Sequence, residues 1–221
     1  AIVGYKVREN LKVKLTLPFS LLALIIFQAG LGMWTVTELL KPVIVTAHLM
    51  GGMTTLGLLT YITHRHFGTV GNTIINPGIK PFIRFGLVLL FIQIMLGGWT
   101  STNYAALACT DFPTCHGSFI PDMDFKNAFN LFRELGMTAS GEGLSIQALQ
   151  AIQWVHRVGA IILTTYFIYM AYLLRSYPPI RFYRNLLLLV LFLQVVIGIA
   201  NLLMYLPLFW VSFLHSLIDV L

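Results

Sequence analysis

Residues 186–204 read LLLLVLFLQVVIGIANLLM, an apolar run in which Gln194 and Asn201 are polar and nothing is charged. A helix needs roughly 20 such residues to cross a hydrocarbon core about 30 Å thick. Runs of the same kind lie at about 15–37, 43–63, 82–100 and 146–174, with a shorter one at 208–221. Of the 221 residues, 57% are hydrophobic and 10% charged, against about half and a quarter in soluble domains. The expected solvent is therefore the bilayer, and the expected fold class is all-α, a polytopic membrane helical bundle.

Two features of the ends carry a further expectation. The run 208–221 would cover only about two thirds of the core at about 1.5 Å per residue, which reads as a helix cut at Leu221. Ala1-Ile2-Val3-Gly4-Tyr5 reads as the tail of an earlier helix that enters a basic loop.

A net charge of +6 raises the question of nucleic acid, but the charges sort by side. Lys6, Arg8, Lys12, Lys14, then Arg65, Lys80, Arg84, then Arg175, Arg181, Arg184 share their segments with one acid, Glu9. The alternate segments hold Lys41, Lys126 and Arg133 against Glu38, Asp111, Asp122, Asp124, Glu134 and Glu142. By the positive-inside rule, 1–14 and 64–81 are cytoplasmic loops, 101–145 is an external loop, and no nucleic-acid partner is expected.

Cys109 and Cys115 both fall in that external segment, where an oxidising compartment permits a disulfide. The alternatives are two unpaired thiols, or zinc held by Cys109, Cys115 and His116 without an evident fourth ligand.

The spans also repeat. Gln-x-x-x-Gly recurs near three outer ends as Gln28/Gly32, Gln93/Gly97 and Gln194/Gly198. Pro42 and His48 follow Gln28 by 14 and 20 residues, and Pro207 and His215 follow Gln194 by 13 and 21. Such a repeat is the mark of duplicated halves. On this reading 15–63 is the second half of a first four-helix bundle, with helices at 15–37 and 43–63. Residues 82–221 are then a whole second bundle, and six helices stand here of an expected eight in two pseudo-symmetric units.

Histidines divide by the same topology. His64, His66 and His116 lie in loops, where a solvated role is the default. His48, His156 and His215 lie inside apolar spans at similar depth, where ionisable groups are costly and mark functional sites. Imidazole is an axial haem ligand in helical bundles, so the three are candidate ligands of haem iron. The alternative is that each merely hydrogen-bonds a neighbouring helix. Gly51, Gly52, Gly159 and Ala160 either clear room for a flat macrocycle or serve close helix packing. Arg157 is a candidate partner for a haem propionate through its fork of donors, or snorkels to the interface. Asp219 shares a helix face with His215 and could hold that ring.

Several of these stretches resemble the proteobacterial haem A synthase family. They are Gln28-Ala29-Gly30-Leu31-Gly32-Met33-Trp34-Thr35-Val36-Thr37, Lys41-Pro42, Thr46-Ala47-His48-Leu49-Met50-Gly51-Gly52, and the segment from Leu96-Gly97-Gly98-Trp99 through Asn103-Tyr104 to Cys109 and Cys115. His156-Arg157 and Leu206-Pro207 before His215 are similar too.

The resemblance implies two four-helix bundles in a bacterial inner membrane and oxidation of a methyl group of haem O to formyl, for haem-copper terminal oxidases. It implies a haem b held by His156 and His215 and a substrate haem at His48. Haem O synthase and terminal oxidase assembly factors are the implied protein partners. The family's acid-base and thiol residues would lie upstream of Ala1, which leaves the catalytic residues unassigned and this stretch alone inactive. The competing readings are a di-haem b-type membrane electron carrier and a haem-handling transporter or assembly factor.

Overall fold

The computed structural model describes residues 16–67 and 77–205. Among these residues the chain is helical, without strands. The long helices are α1 (Thr16–Thr37), α2 (Pro42–Phe67), α3 (Lys80–Thr102), α5 (Ile146–Leu173) and α6 (Arg181–Leu203), and a single turn, α4 (Phe125–Ala128), lies between α3 and α5. All five long helices have the length and apolarity to cross a bilayer. Large apolar side chains project from them all round, among them Ile26, Phe27, Leu87, Ile161 and Phe192. A helix that is apolar on every face and lacks a protein partner on most of them is suited to lipid rather than to water. The chain is a multi-pass, all-α membrane protein.

The helices overrun the apolar stretches that announce them. α2 continues past residue 63 through His64, Arg65 and His66, and α6 begins at Arg181 rather than near 186. Hydropathy marks only the part of a helix in hydrocarbon, whereas the helix itself continues into the headgroup layer, where long basic side chains reach water. The expected helix at 208–221 lies outside the described residues.

The chain divides into two compact units, and each has its own core. The first contains α1, α2, α3 and residues 130–143. α1 and α2 form a tight hairpin. Leu39 and Leu40 take left-handed backbone angles (φ 49° and 60°), and the Leu40 amide donates back to the Thr35 carbonyl at 2.9 Å. Pro42 then opens α2, where a missing N–H costs nothing and a fixed φ suits the helix. Its ring is fully buried.

α2 is wedged closely between its neighbours. A methyl group at Gly32 of α1 would stand 3.2 Å from the His48 ring, and one at Gly98 of α3 would stand 2.7 Å from Leu49 Cδ2. Over this wedge, residues 130–143 are held by Arg133, which is 4% exposed. Its guanidinium donates to Asn103 Oδ1 and to the Met137 carbonyl and stands over the Trp99 ring. Lys41 adds ion pairs to Glu38 at 2.7 Å and Glu134 at 3.2 Å.

The second unit contains residues 104–129, α5 and α6. α5 begins at the cap Ser145, whose hydroxyl accepts from the Ala148 amide, one of the donors that a helix start leaves unpaired. Its first turns carry Ala148, Ala151, Ile152 and Gln153 into a buried face against the 104–129 segment.

Candidate functional site

His48 sits on α2, and three contacts define its surroundings. The Gln28 carboxamide of α1 donates from Nε2 to the His48 carbonyl at 2.8 Å. The imidazole lies over Gly32, with Cε1 nearest. One turn further on, Gly51 leaves room for the Gln28 side chain, since a methyl there would stand 2.5 Å from Gln28 Oε1. The Gln-x-x-x-Gly pattern therefore has a structural meaning in the first hairpin. Its glutamine grips the backbone at the histidine, and its glycine gives the ring a floor. Gly51 serves close packing here, because Gln28 fills the space it opens.

Among the described residues, two atoms on this α1–α2 seam are buried without a hydrogen-bond partner, His48 Nδ1 and Gln28 Oε1. A buried polar group left unpaired costs on the order of 1–3 kcal/mol. An imidazole held between helices with Nδ1 buried in this way calls for an acceptor at Nδ1, the arrangement that fixes a histidine giving Nε2 to a metal, and on that test His48 fits the haem that the resemblance implies.

α5 carries the other described candidates, His156 and Arg157. His156 is half-buried. Arg157 faces the 104–129 segment, where Nη1 donates to the Thr114 carbonyl at 2.7 Å and Nη2 to the Cys109 carbonyl at 3.0 Å. The guanidinium also stands 5.9 Å from the centroid of the Phe112 ring. It is thus anchored in protein, a contact that neither sequence reading of Arg157 contained. A guanidinium has five donors, so these bonds and a bound carboxylate are compatible. His215 and Asp219 lie outside the described residues.

Cys109 and Cys115 form a disulfide. Both thiols are consumed, which removes the alternatives of unpaired thiols and of zinc held with His116. His116 is exposed, and its Nε2 is paired with the Ala108 carbonyl at 2.9 Å. Asp111 organises the same loop, accepting from the Thr114 hydroxyl and from the Gly117 and His116 amides. Those bonds hold its carboxyl well below the usual carboxylate range, Thr114 having the largest effect. Gln153 secures the loop to α5, accepting from the Cys109 amide and donating to the Ala106 carbonyl, while the Trp154 indole donates to the Phe119 carbonyl at 2.8 Å.

Three structural residues went unsingled in the sequence. Gln153 and Trp154 stand next to His156 without a motif of their own. Arg133 is one basic residue in the acidic 101–145 segment, and nothing local distinguishes a buried guanidinium from a solvated one.

Comparison with known proteins supplies the relationship. A protein named Heme A synthase in Shewanella oneidensis is 39% identical over 194 residues, which cover 87% of this chain and 59% of that protein. One of the same name in Neorickettsia sennetsu is 29% identical over 151 residues, 66% of this chain and 42% of the relative. A third, in Alkalihalophilus pseudofirmus, is 26% identical over 127 residues. The chain thus spans at most 59% of the length of these relatives. The family described as cytochrome oxidase assembly protein matches residues 2–221, nearly every residue of the sequence, and the chain belongs to that family.

Proposed function

We propose that this chain is part of a haem A synthase, an oxidoreductase that converts a methyl group of haem O to formyl for haem-copper terminal oxidases. The observation that carries the reading is the match to the family along residues 2–221 together with the name of its relatives. The buried Nδ1 of His48 on the α1–α2 seam supports it chemically, because a histidine that gives Nε2 to iron donates its Nδ1–H to an acceptor. His48 is the ligand for the substrate haem, and His156 with His215 holds a haem b, in keeping with the matched spacing of Gln28/His48 and Gln194/His215. Arg157 binds a propionate with donors beyond those it gives to Thr114 and Cys109.

Bound haem supplies one-electron redox chemistry. The chain's own contribution is to hold imidazoles at fixed depth in a low-dielectric layer and to keep the outer end closed. The disulfide loop, tied to α5 by Gln153 and Arg157, does the second. The protein lies in a bacterial inner membrane with residues 1–14 on the cytoplasmic side, as two repeat halves of which the second opens at α3. Its substrate comes from a haem O synthase, and its product goes to terminal oxidase assembly.

Reduced-minus-oxidised absorption spectra of the detergent-purified chain test the ligand assignment. A low-spin haem b signal that is lost in both His156→Ala and His215→Ala is expected; a signal indifferent to both overturns it. Mass analysis of haem extracted after incubation of the full-length protein with haem O tests the activity. Haem O recovered unchanged, with haem b bound and redox-active, would favour the electron carrier instead.

A further inference from the structure

The two unsatisfied atoms of the α1–α2 seam are chemically complementary. Gln28 Nε2 is committed as a donor to the His48 carbonyl, which fixes the orientation of the carboxamide and leaves Oε1 as an acceptor. That oxygen is buried and has no donor among the described residues. On the other side, His48 Nδ1 is buried and has no acceptor among them. If Nε2 of the ring takes iron, the proton of the neutral imidazole must sit on Nδ1, and a histidine ligand in that state gives its Nδ1–H to a carboxylate, a carbonyl or a water.

Both atoms belong to one patch of packing. Gln28 donates to the His48 carbonyl and fills the space that a side chain at Gly51 would take, and the His48 ring lies over Gly32, one turn along α1 from Gln28. Gly51 is what lets Gln28 come this close, since any side chain there would meet the carboxamide.

We propose that Gln28 is the positioning residue for His48. Its Oε1 accepts the Nδ1–H of the iron-ligating imidazole through one water, the two atoms not being bonded to each other directly in this structure, while its Nε2 holds the backbone of the same residue. One side chain thus sets both the depth of the ligand and the rotation of its ring. By sharing the Nδ1 proton it makes Nε2 a stronger donor to iron. The inference rests on the reading of His48 as a haem ligand. It assigns a cause to the Gln28/His48 spacing, which recurs, one residue longer, between Gln194 and His215.

The test uses haem titration, reduction potential and resonance Raman spectra on full-length protein. The His48-dependent signal is defined as the part that disappears in His48→Ala. Gln28→Met keeps the length and removes both polar atoms. It is expected to weaken haem binding at this site about 10- to 100-fold and to raise the potential of the haem that still binds, because a less basic imidazole favours the reduced iron. Gln28→Glu, which when neutral offers one donor and one acceptor, is expected to restore binding to near the parent value.

Gln28→Met with parental affinity, potential and spectrum overturns the proposal. So does weakened binding with an unchanged potential and spectrum, which would mark Gln28 as a packing residue alone. A haem signal that survives His48→Ala unchanged refutes the ligand reading itself, and is thereby distinguishable from failure of the Gln28 assignment.

Discussion

Gly51 on α2 and Gly98 on α3 mark where the backbone of one helix lies close to a side chain of the next, and they differ in what an added methyl would meet. At Gly98 it would press on Leu49 Cδ2 at 2.7 Å, and at Gly51 on the Gln28 carboxamide at 2.5 Å, whereas at Gly30 it would meet nothing within 4 Å. Replacing glycine by alanine in a helix otherwise gains up to about 1 kcal/mol, and overpacking costs about 1–3 kcal/mol. Gly51→Ala, which displaces a hydrogen-bonded carboxamide, is therefore expected to destabilise the protein by about 1–2 kcal/mol, Gly98→Ala by less, because the Leu49 methyl it meets ends a flexible side chain that can turn aside, and Gly30→Ala to be neutral or slightly stabilising. Unfolding curves in detergent micelles decide this. Equal stability of Gly51→Ala and Gly30→Ala would refute the close fit of α1 on α2.

At the scale of elements, the segment 104–129 does without regular structure beyond short turns, and it is held by cross-links of several kinds. The disulfide closes residues 109–115, Asp111 gathers the Thr114 hydroxyl with the two amides that follow Cys115, and α5 contributes Gln153, Trp154 and Arg157. The pH behaviour of Asp111 follows from its depressed acidity. A carboxyl whose folded-state pKa lies below its unfolded value stabilises fully above the unfolded value, about 3.9 for Asp. That contribution fades as pH falls below this and is gone once the folded value is passed. Amide exchange protection at His116 and Gly117, corrected for intrinsic rates, should accordingly stay flat from neutral pH to about pH 4 and fall only in stronger acid. Asp111→Asn should lower it at neutral pH. A midpoint at or above the ordinary Asp value would contradict this account.

Across the whole molecule, the distribution of Lys and Arg predicts an orientation for the spans, with residues 101–145 outside. Single cysteines introduced as Ser118→Cys and Ser176→Cys probe opposite ends of α5, the first in the 104–129 segment and the second just beyond the other end of the helix. The native cysteines are paired and add no background. In sealed right-side-out vesicles, an impermeant thiol reagent should label position 118 and spare 176 until the vesicles are opened. The reverse pattern would invert the topology and remove the outer-side reading of the disulfide loop.

Composition and spacing by themselves determined the solvent, the helical class and the number of long helices among residues 16–67 and 77–205, because lipid admits apolar helices of one length and little else. They also singled out His48, Cys109 and Cys115, and the Gln-x-x-x-Gly pattern, since an ionisable side chain in hydrocarbon and a repeated polar spacing both stand out against an apolar background. The tertiary structure decided what those residues touch. Only the packing of α1 on α2 turns Gln28 into the partner of the His48 backbone, only the fold of residues 130–143 buries Arg133, and only the fold of residues 104–129 against α5 brings the Arg157 guanidinium onto the Cys109 and Thr114 carbonyls. Periodicity encodes which side chains share a helix face. The match of a donor on one element to an acceptor many residues away depends on interhelical distances of a few ångströms, which no local pattern carries.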